Sequence, residues 1–357
     1  MVLFYLASWL MESFGPARLL QSYAVLIVLA LYLGFFVTCF LLPKFYGWLP
    51  QDRGREFTLT AEAAKGKPTG AGSVFITFFT LICVLVVPLR GLQACMLALT
   101  WLTMVTGFLD DRSTTSWGEY LKGALDLAIC LVAAILLYSF ISRTTEDGTV
   151  SIWLPFLSES LAVAPWLYIM MATVILWLSI NTTNCTDGVD GLSSTLVLIA
   201  LITMGCLFYF VLGHKEIASY LLVPHISQGA SWAVMTFALA GVLMGYLWHN
   251  AFPSKVLMGD AGSRALGFYI GVCVLVSGNP FLILATSSII FVNGGMGLLK
   301  ILLLRFFKIR VFSKIRFPLH DHMRHNHGWS PTQVLIKFMI MQALITMALL
   351  GIMLKVR

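Results

Sequence analysis

The sequence predicts an all-α, polytopic integral membrane protein, a single domain over residues 1–357 with ten transmembrane helices. Two observations carry this. Apolar residues make up 59% of the chain and charged residues 11%, with a mean hydropathy of +0.89, whereas a soluble domain carries about 25% charged residues. Long apolar runs also recur along the whole chain, and a helix needs roughly 17–25 such residues to cross the hydrocarbon core. Little chain is left for a separate soluble domain, and no internal repeat stands out.

The predicted spans cover about 23–42, 73–89, 91–109, 121–141, 162–180, 191–213, 231–249, 263–278, 281–304 and 334–354. The eighth is short. The ninth carries Asn293-Gly294-Gly295, a place for a kink or break. The first twenty residues do not read as a signal peptide, because a basic n-region is missing and Glu12, Pro16 and Arg18 interrupt the apolar run. The seven cysteines lie mostly inside apolar runs without a CxxC pair. They read as small buried hydrophobes rather than disulfides or metal thiolates.

Ten spans put both termini on one side, and the loops after spans 1, 3, 5, 7 and 9 on the other. Those loops and their span edges hold 15 of the 23 Lys/Arg: Lys44, Arg53, Arg55, Lys65, Lys67, Arg112, Lys122, Lys255, Arg264, Arg305, Lys308, Arg310, Lys314, Arg316 and Arg324. The opposite side holds six: Arg18, Arg90, Arg143, Lys215, Lys355 and Arg357. The positive-inside rule makes the first side cytoplasmic and places both termini outside. The outer loop 142–161 sets Arg143 against Glu146, Asp147 and Glu159.

Five polar stretches fall on the cytoplasmic side. Asp110-Asp111 ends the third span; adjacent carboxylates repel, so the pair suggests a cation or a shared proton, or else caps the next helix. Asn181-Thr-Thr-Asn184-Cys-Thr-Asp187-Gly-Val-Asp190-Gly-Leu192 follows the fifth span. Ionisable groups at a span edge are costly and mark functional sites by default. Its glycines allow tight turns near a ligand, and Asp187 and Asp190 suit a sugar, a base or a metal; a simple polar turn is the alternative. Asn250-x-x-Pro253 leads to Met258-Gly-Asp260-Ala-Gly-Ser263 ahead of a helix, where backbone N–H groups and the helix N-terminus favour an anion or a metal–phosphate pair. The plain alternative is a Pro/Gly loop with a Ser cap.

Residues 305–327 hold six Lys/Arg with His320, His322, His325 and His327 against one acid, Asp321. The His spacing is not a standard zinc pattern, and phosphates or anionic headgroups fit the charge better. An ordinary positive-inside loop is the alternative. Lys65-Gly-Lys67-Pro-Thr-Gly-Ala-Gly72 before the second span suits a phosphate or a plain flanking loop equally. Asp126, inside the fourth span, is open between a structural hydrogen bond and a site role.

Carboxylates and a basic loop on one membrane face suggest metal-assisted chemistry of phosphates at the bilayer surface. A nucleotide diphosphate meeting a lipid phosphate brings anions together. Two unit charges 4 Å apart cost about 4 kcal/mol at an effective dielectric of 20, so a divalent cation and basic donors are needed. Oxygen ligands select Mg²⁺ or Mn²⁺ over zinc. A phosphomonoester is mostly deprotonated at neutral pH, which makes a strong general base optional.

At these residues the chain resembles the polyprenyl-phosphate N-acetylhexosamine-1-phosphate transferases. The motifs run nearly end to end: Lys67-Pro-Thr-Gly-Ala-Gly72, Asp110-Asp111, Asn184 to Leu192, Asn250 to Ser263, and Pro318-Leu-His-Asp-His322. Gly328-Trp-Ser-Pro-Thr-Gln-Val334 favours the muramoyl branch over the GlcNAc-phosphate branch. The resemblance implies ten spans in a bacterial plasma (inner) membrane, a cytoplasmic active-site cleft, Mg²⁺, a homodimer and no nucleic-acid partner. The implied reaction moves phospho-MurNAc-pentapeptide from UDP-MurNAc-pentapeptide onto undecaprenyl phosphate, releasing UMP. A GlcNAc-1-phosphate transferase is the alternative, and a secondary transporter the option from another class. Residue by residue, the resemblance makes Asp260 the metal ligand, Asp110 the base or acceptor-positioning residue, and Asp111 its catalytic neighbour. Asn184, Asp187 and Asp190 match positions around nucleotide and diphosphate. Asn250, His320 and His322 match further active-site positions. Lys65, Lys67 and Asn181 complete the expected substrate contacts. Four departures stand out: Thr114 replaces a Lys, Asp321 a His, Leu257 a Phe suited to stacking on uracil, and Asn293 a Glu.

Overall fold

The computed structural model describes residues 2–11, 14–52, 54, 65–115, 117–145, 148–155, 157 and 159–355. Of the charges read from sequence, Glu12, Arg53, Arg55, Glu146, Asp147 and Arg357 lie outside the described residues.

The chain is a bundle of helices: α1 (Val2–Leu10), α2 (Tyr23–Leu41), α3 (Gly72–Val86), α4 (Gly91–Arg112), α5 (Glu119–Ser142), α6 (Pro165–Thr186), α7 (Leu192–Cys206), α8 (Lys215–Tyr220), α9 (Gly229–Asn250), α10 (Gly259–Val276), α11 (Leu282–Ile290), α12 (Met296–Phe307), α13 (Leu319–His327) and α14 (Pro331–Lys355). A short antiparallel hairpin, β1 (Val150–Ile152) with β2 (Leu161–Val163), occupies the loop between α5 and α6. Among the described residues, nine helical stretches are long and apolar enough to cross a membrane. The remaining predicted span, 73–89, is helical over only the 15 residues of α3. At 1.5 Å per residue that reaches about 22 Å, against a hydrocarbon core of about 30 Å. Its early stop follows from Pro88, which restricts Val87 to an extended backbone.

The eighth predicted span becomes the hub of the bundle. Every residue of α10 from Gly259 to Leu275 is buried, although its hydropathy is the lowest of the nine candidate spans. Small residues explain this, because they let neighbouring backbones approach. A Cβ on Gly72 would overlap the backbone of Gly262, and one on Gly107 would stand 2.6 Å from Ala261 N. On the other flank, Gly267 and Gly271 receive Ser179 and Leu176 of α6. Protein rather than lipid surrounds α10, so it tolerates Asp260 and Arg264. Arg264, counted above as a flanking charge, is corrected by this placement: it is 1% exposed and ion-paired with Asp126 of α5, itself 2% exposed. The structural reading of Asp126 is the one the geometry supports.

The ninth predicted span bends where Asn293-Gly294-Gly295 predicts it. Ser287 departs from helical backbone and Phe291–Gly295 forms a wide turn between α11 and α12.

Candidate active site

The C-terminal ends of α4, α6 and α12 and the N-terminal ends of α5 and α10 meet around a cavity of about 1620 Å³. That exceeds the roughly 300–1,000 Å³ of an ordinary small-molecule site, so it has room for more than one substrate. One end is polar, with Asp110, Asp111, Lys122, Asn181, Asn184 and Asp260 among the lining residues. The other wall is apolar and comes from Leu127 of α5 and from Phe291, Val292, Met296, Leu299, Leu302 and Phe306 along the bent α11–α12.

Lys122 organises the polar end. Its ammonium ion-pairs with Asp110 and lies 3.1 Å from Asp260 Oδ2. Both aspartates are nearly buried, at 8% and 5% exposure, so a shared cation offsets a repulsion that water screens poorly there. Asp110 also accepts the Trp117 N–H at 2.8 Å, which folds the short α4–α5 connection back and brings Lys122 into reach. Asp111 has a different task. Its two carboxylate oxygens accept the backbone N–H groups of Asp260 and Ala261, at 2.9 and 3.0 Å. It therefore caps the first turn of α10 and fixes Asp260. Helix capping was one sequence reading of this pair, but the capped helix is not the next one. Gly259 makes the approach possible: its φ is +69° and a Cβ there would overlap Asp111 Oδ2.

Asn181 and Asn184 face the same cavity from the end of α6, where Asn181 Nδ2 donates to the Trp177 carbonyl at 2.8 Å. Of the remaining predicted site residues, His320, expected to be catalytic, and Asp187, Asp190, Asn250, His322, Lys65 and Lys67, expected to bind substrate, do not line this cavity among the described residues. Several hold its rim together instead. Asn250 accepts the Gly191 N–H and donates to the Val256 carbonyl, both at 2.9 Å. Asp190 accepts the Ser254 N–H at 3.0 Å, and Lys67 donates to the Ser254 hydroxyl at 3.1 Å. Lys65 is exposed. The glycines after Lys67 serve backbone packing, since Ala71 N donates to Leu257 O and Gly72 N to Met258 O. His320 is 2% exposed, and its imidazole seats against Gly188. Burial pushes its pKa down to about 4, a shift that neighbouring Asp321 opposes without reversing. His322 stacks edge-on with His327, ring centroids 5.6 Å apart.

Sequence reasoning missed Lys122 as a site residue, and with it Asp52, Glu119 and Tyr120 on the cavity wall, while Arg305, read only as part of the basic 305–327 stretch, also lines it. Arg305 donates to the Tyr120 hydroxyl and its guanidinium lies 5.1 Å from that ring's centroid, joining α12 to α5 at the mouth. A signal for Lys122 was present: it is a cation in the first turn after a short connection from the Asp pair.

Carboxylates supply the donor set for a hard divalent cation. Asp260 and Asp110 present oxygen-only ligands in a polar cavity end, which fits Mg²⁺ completed by water and phosphate oxygens. Among the described residues, no group of three or more His, Cys, Asp or Glu is placed to hold a metal unaided.

Comparison with known proteins returns one consistent relationship. Residues 93–278 match the family described as glycosyl transferase family 4. The chain is 57% identical over 350 residues to the phospho-N-acetylmuramoyl-pentapeptide-transferase of Treponema pallidum, covering 98% of this chain and 95% of that protein. It is 30% identical over 335 residues to the protein of the same name from Sulfurimonas denitrificans, covering 88% and 90%. The protein of that name from Helicobacter pylori is 30% identical over 329 residues, again covering 88% and 90%.

Proposed function

Because the chain belongs to glycosyl transferase family 4, and within it to the phospho-N-acetylmuramoyl-pentapeptide transferases, we propose that it makes the first lipid-linked intermediate of peptidoglycan. The reaction transfers phospho-MurNAc-pentapeptide from UDP-MurNAc-pentapeptide to undecaprenyl phosphate and releases UMP. The observation that supports this most directly is the cavity's division: a carboxylate–lysine end beside an apolar wall of the chemistry a prenyl chain needs. A transporter reading asks for a site near the bilayer midplane, whereas these charges sit at helix ends on one side of the bundle.

The geometry supports a role for each of these residues. Asp260, fixed by Asp111, would hold Mg²⁺ together with phosphate oxygens. When bound, that ion neutralises charge developing on the transferred phosphoryl group. Lys122 supplies a second positive charge between Asp110 and Asp260 and moves to diphosphate oxygens as substrate enters. Asp110 faces the acceptor phosphate and positions it or takes its remaining proton. Asn181 and Asn184 offer amide contacts to the nucleotide-sugar. The apolar α11–α12 wall takes the prenyl chain. The same reading puts the polar end in the cytoplasm, with both termini outside, and the protein in the membrane as a homodimer.

The test is direct. Purified protein with Mg²⁺, undecaprenyl phosphate and UDP-MurNAc-pentapeptide should release UMP, and chelation by EDTA should stop it. UMP release from UDP-GlcNAc alone would replace this donor assignment with a GlcNAc-1-phosphate transferase. Asp260→Ala should insert and fold but lose turnover; wild-type rates in that variant would remove Asp260 from the metal site. Light scattering of the detergent-solubilised protein decides the dimer, and cysteine accessibility at the termini decides the orientation.

A further inference from the structure

The bend of the α11–α12 segment carries Asn293, a fully buried carboxamide that makes no contact with the cavity. Its oxygen accepts the backbone N–H of His320 at 2.8 Å, which fixes the orientation of the amide. Its nitrogen lies 3.0 Å from His320 Nδ1, with the oxygen slightly farther from Nδ1 at 3.2 Å. An amide nitrogen can only donate, so the shorter contact favours Nδ1 as the acceptor, whereas the opposite tautomer would donate Nδ1–H to the more distant oxygen. The other face of the ring agrees. His320 Nε2 lies 3.6 Å from Asp321 Oδ1, beyond hydrogen-bond range but close enough to favour N–H over a lone pair towards the carboxylate. The charged groups acting on the ring are Asp321 and Arg324, both on its own helix; Asn293 adds no charge.

The same imidazole lies where a side chain at Gly188 would stand, since a Cβ there would overlap His320 Nε2. The bend also touches the preceding helix, because a Cβ on Gly294 would overlap the Thr182 carbonyl. One buried bend thus contacts the end of α6 directly and the turn after it through His320.

We propose that Asn293 is a positioning residue that fixes the His320 imidazole as the Nε2–H tautomer and so seats the 187–190 turn beside the cavity. Its consequence for turnover rests on the proposed transferase reading; the tautomer does not. Asn293→Asp exchanges the donor at Nδ1 for an acceptor, and Asn293→Leu removes both bonds.

The experiment is ¹⁵N-histidine NMR of the full-length protein, with His320→Gln identifying the signal, beside UMP-release kinetics. The expected wild-type signal is a neutral Nε2–H imidazole at pH 7, moving to Nδ1–H or imidazolium in Asn293→Asp. Donor KM should rise about tenfold in Asn293→Asp and Asn293→Leu, with a smaller change in kcat. A wild-type Nδ1–H or imidazolium signal would overturn the tautomer assignment. An unchanged donor KM in Asn293→Leu would overturn the positioning role. If the wild type released no UMP at all, the transferase reading would fail, while the NMR signal would still decide the tautomer.

Discussion

Lys122 Nζ lies 3.1 Å from Asp260 Oδ2 while ion-pairing with Asp110, so one amine joins carboxylates that start from two different helices. All three groups line the polar end of the cavity. Replacing Lys122 by Met removes the positive charge that diphosphate oxygens would meet. The expected loss is about 10²–10³-fold in kcat/KM, the scale of removing one preorganised electrostatic contact. Lys122→Arg should recover part of it. UMP release measures both, and a Lys122→Met rate near wild type would exclude the role.

Asp111 serves Asp260 through the backbone. Asp111→Ala leaves the N–H groups of Asp260 and Ala261 without the acceptors they have now. A buried donor without a partner costs about 1–3 kcal/mol, so thermal unfolding in detergent should drop clearly. Asp111→Asn retains one acceptor oxygen and should fall between. Turnover should track the placement of Asp260, giving partial activity in Asp111→Asn and little in Asp111→Ala. Full activity together with full stability in Asp111→Ala would contradict the capping role.

Asp126 and Arg264 form an ion pair one helical turn deeper than Lys122 and Asp260. Removing one member strands a buried charge, at about 3–5 kcal/mol. Asp126→Leu alone and Arg264→Met alone should both be strongly destabilised. The double variant should recover most of the loss, because an apolar pair of similar volume replaces a desolvated one. A double variant as unstable as the sum of its parts would mean the two residues act independently.

Acid should weaken the fold through His320. Its pKa is lowered from 6.5 to about 4 by burial, so the unfolded chain binds the proton first as pH falls. The associated stability is fully present above about pH 6.5 and is lost as pH falls towards about 4, a span on the order of 3 kcal/mol. His320→Gln should flatten that part of the stability–pH curve. If wild type and His320→Gln showed parallel curves between pH 6.5 and 4, the titration would belong to other groups.

Much of this molecule was legible in the sequence because two signals there are local. Long apolar runs set the helices, and the bend at Asn293-Gly294-Gly295 follows from a local interruption. The clustering of Asp110, Asn181, Asn184 and Asp260 also follows, once the spans put these helix ends on one face. Span 73–89 was overestimated because apolar composition continues through Val86 and Val87 although Pro88 ends the helix.

The sequence by itself determined the fold class, the family and three of the cavity's carboxylates, Asp110, Asp111 and Asp260, since each rests on residue type or spacing along one stretch of chain. Tertiary structure alone decided which of those polar groups line the cavity and which bond to other groups of the protein. Asp111 caps α10 rather than facing the cavity freely, Asn250 and Asp190 stitch loops, His320 is a neutral buried wedge, and Lys122 becomes the shared cation. The physical reason is that a buried polar group must find a partner, and the partner here comes from a helix distant in sequence. Local pattern shows the need for a partner, and only packing supplies which one it is.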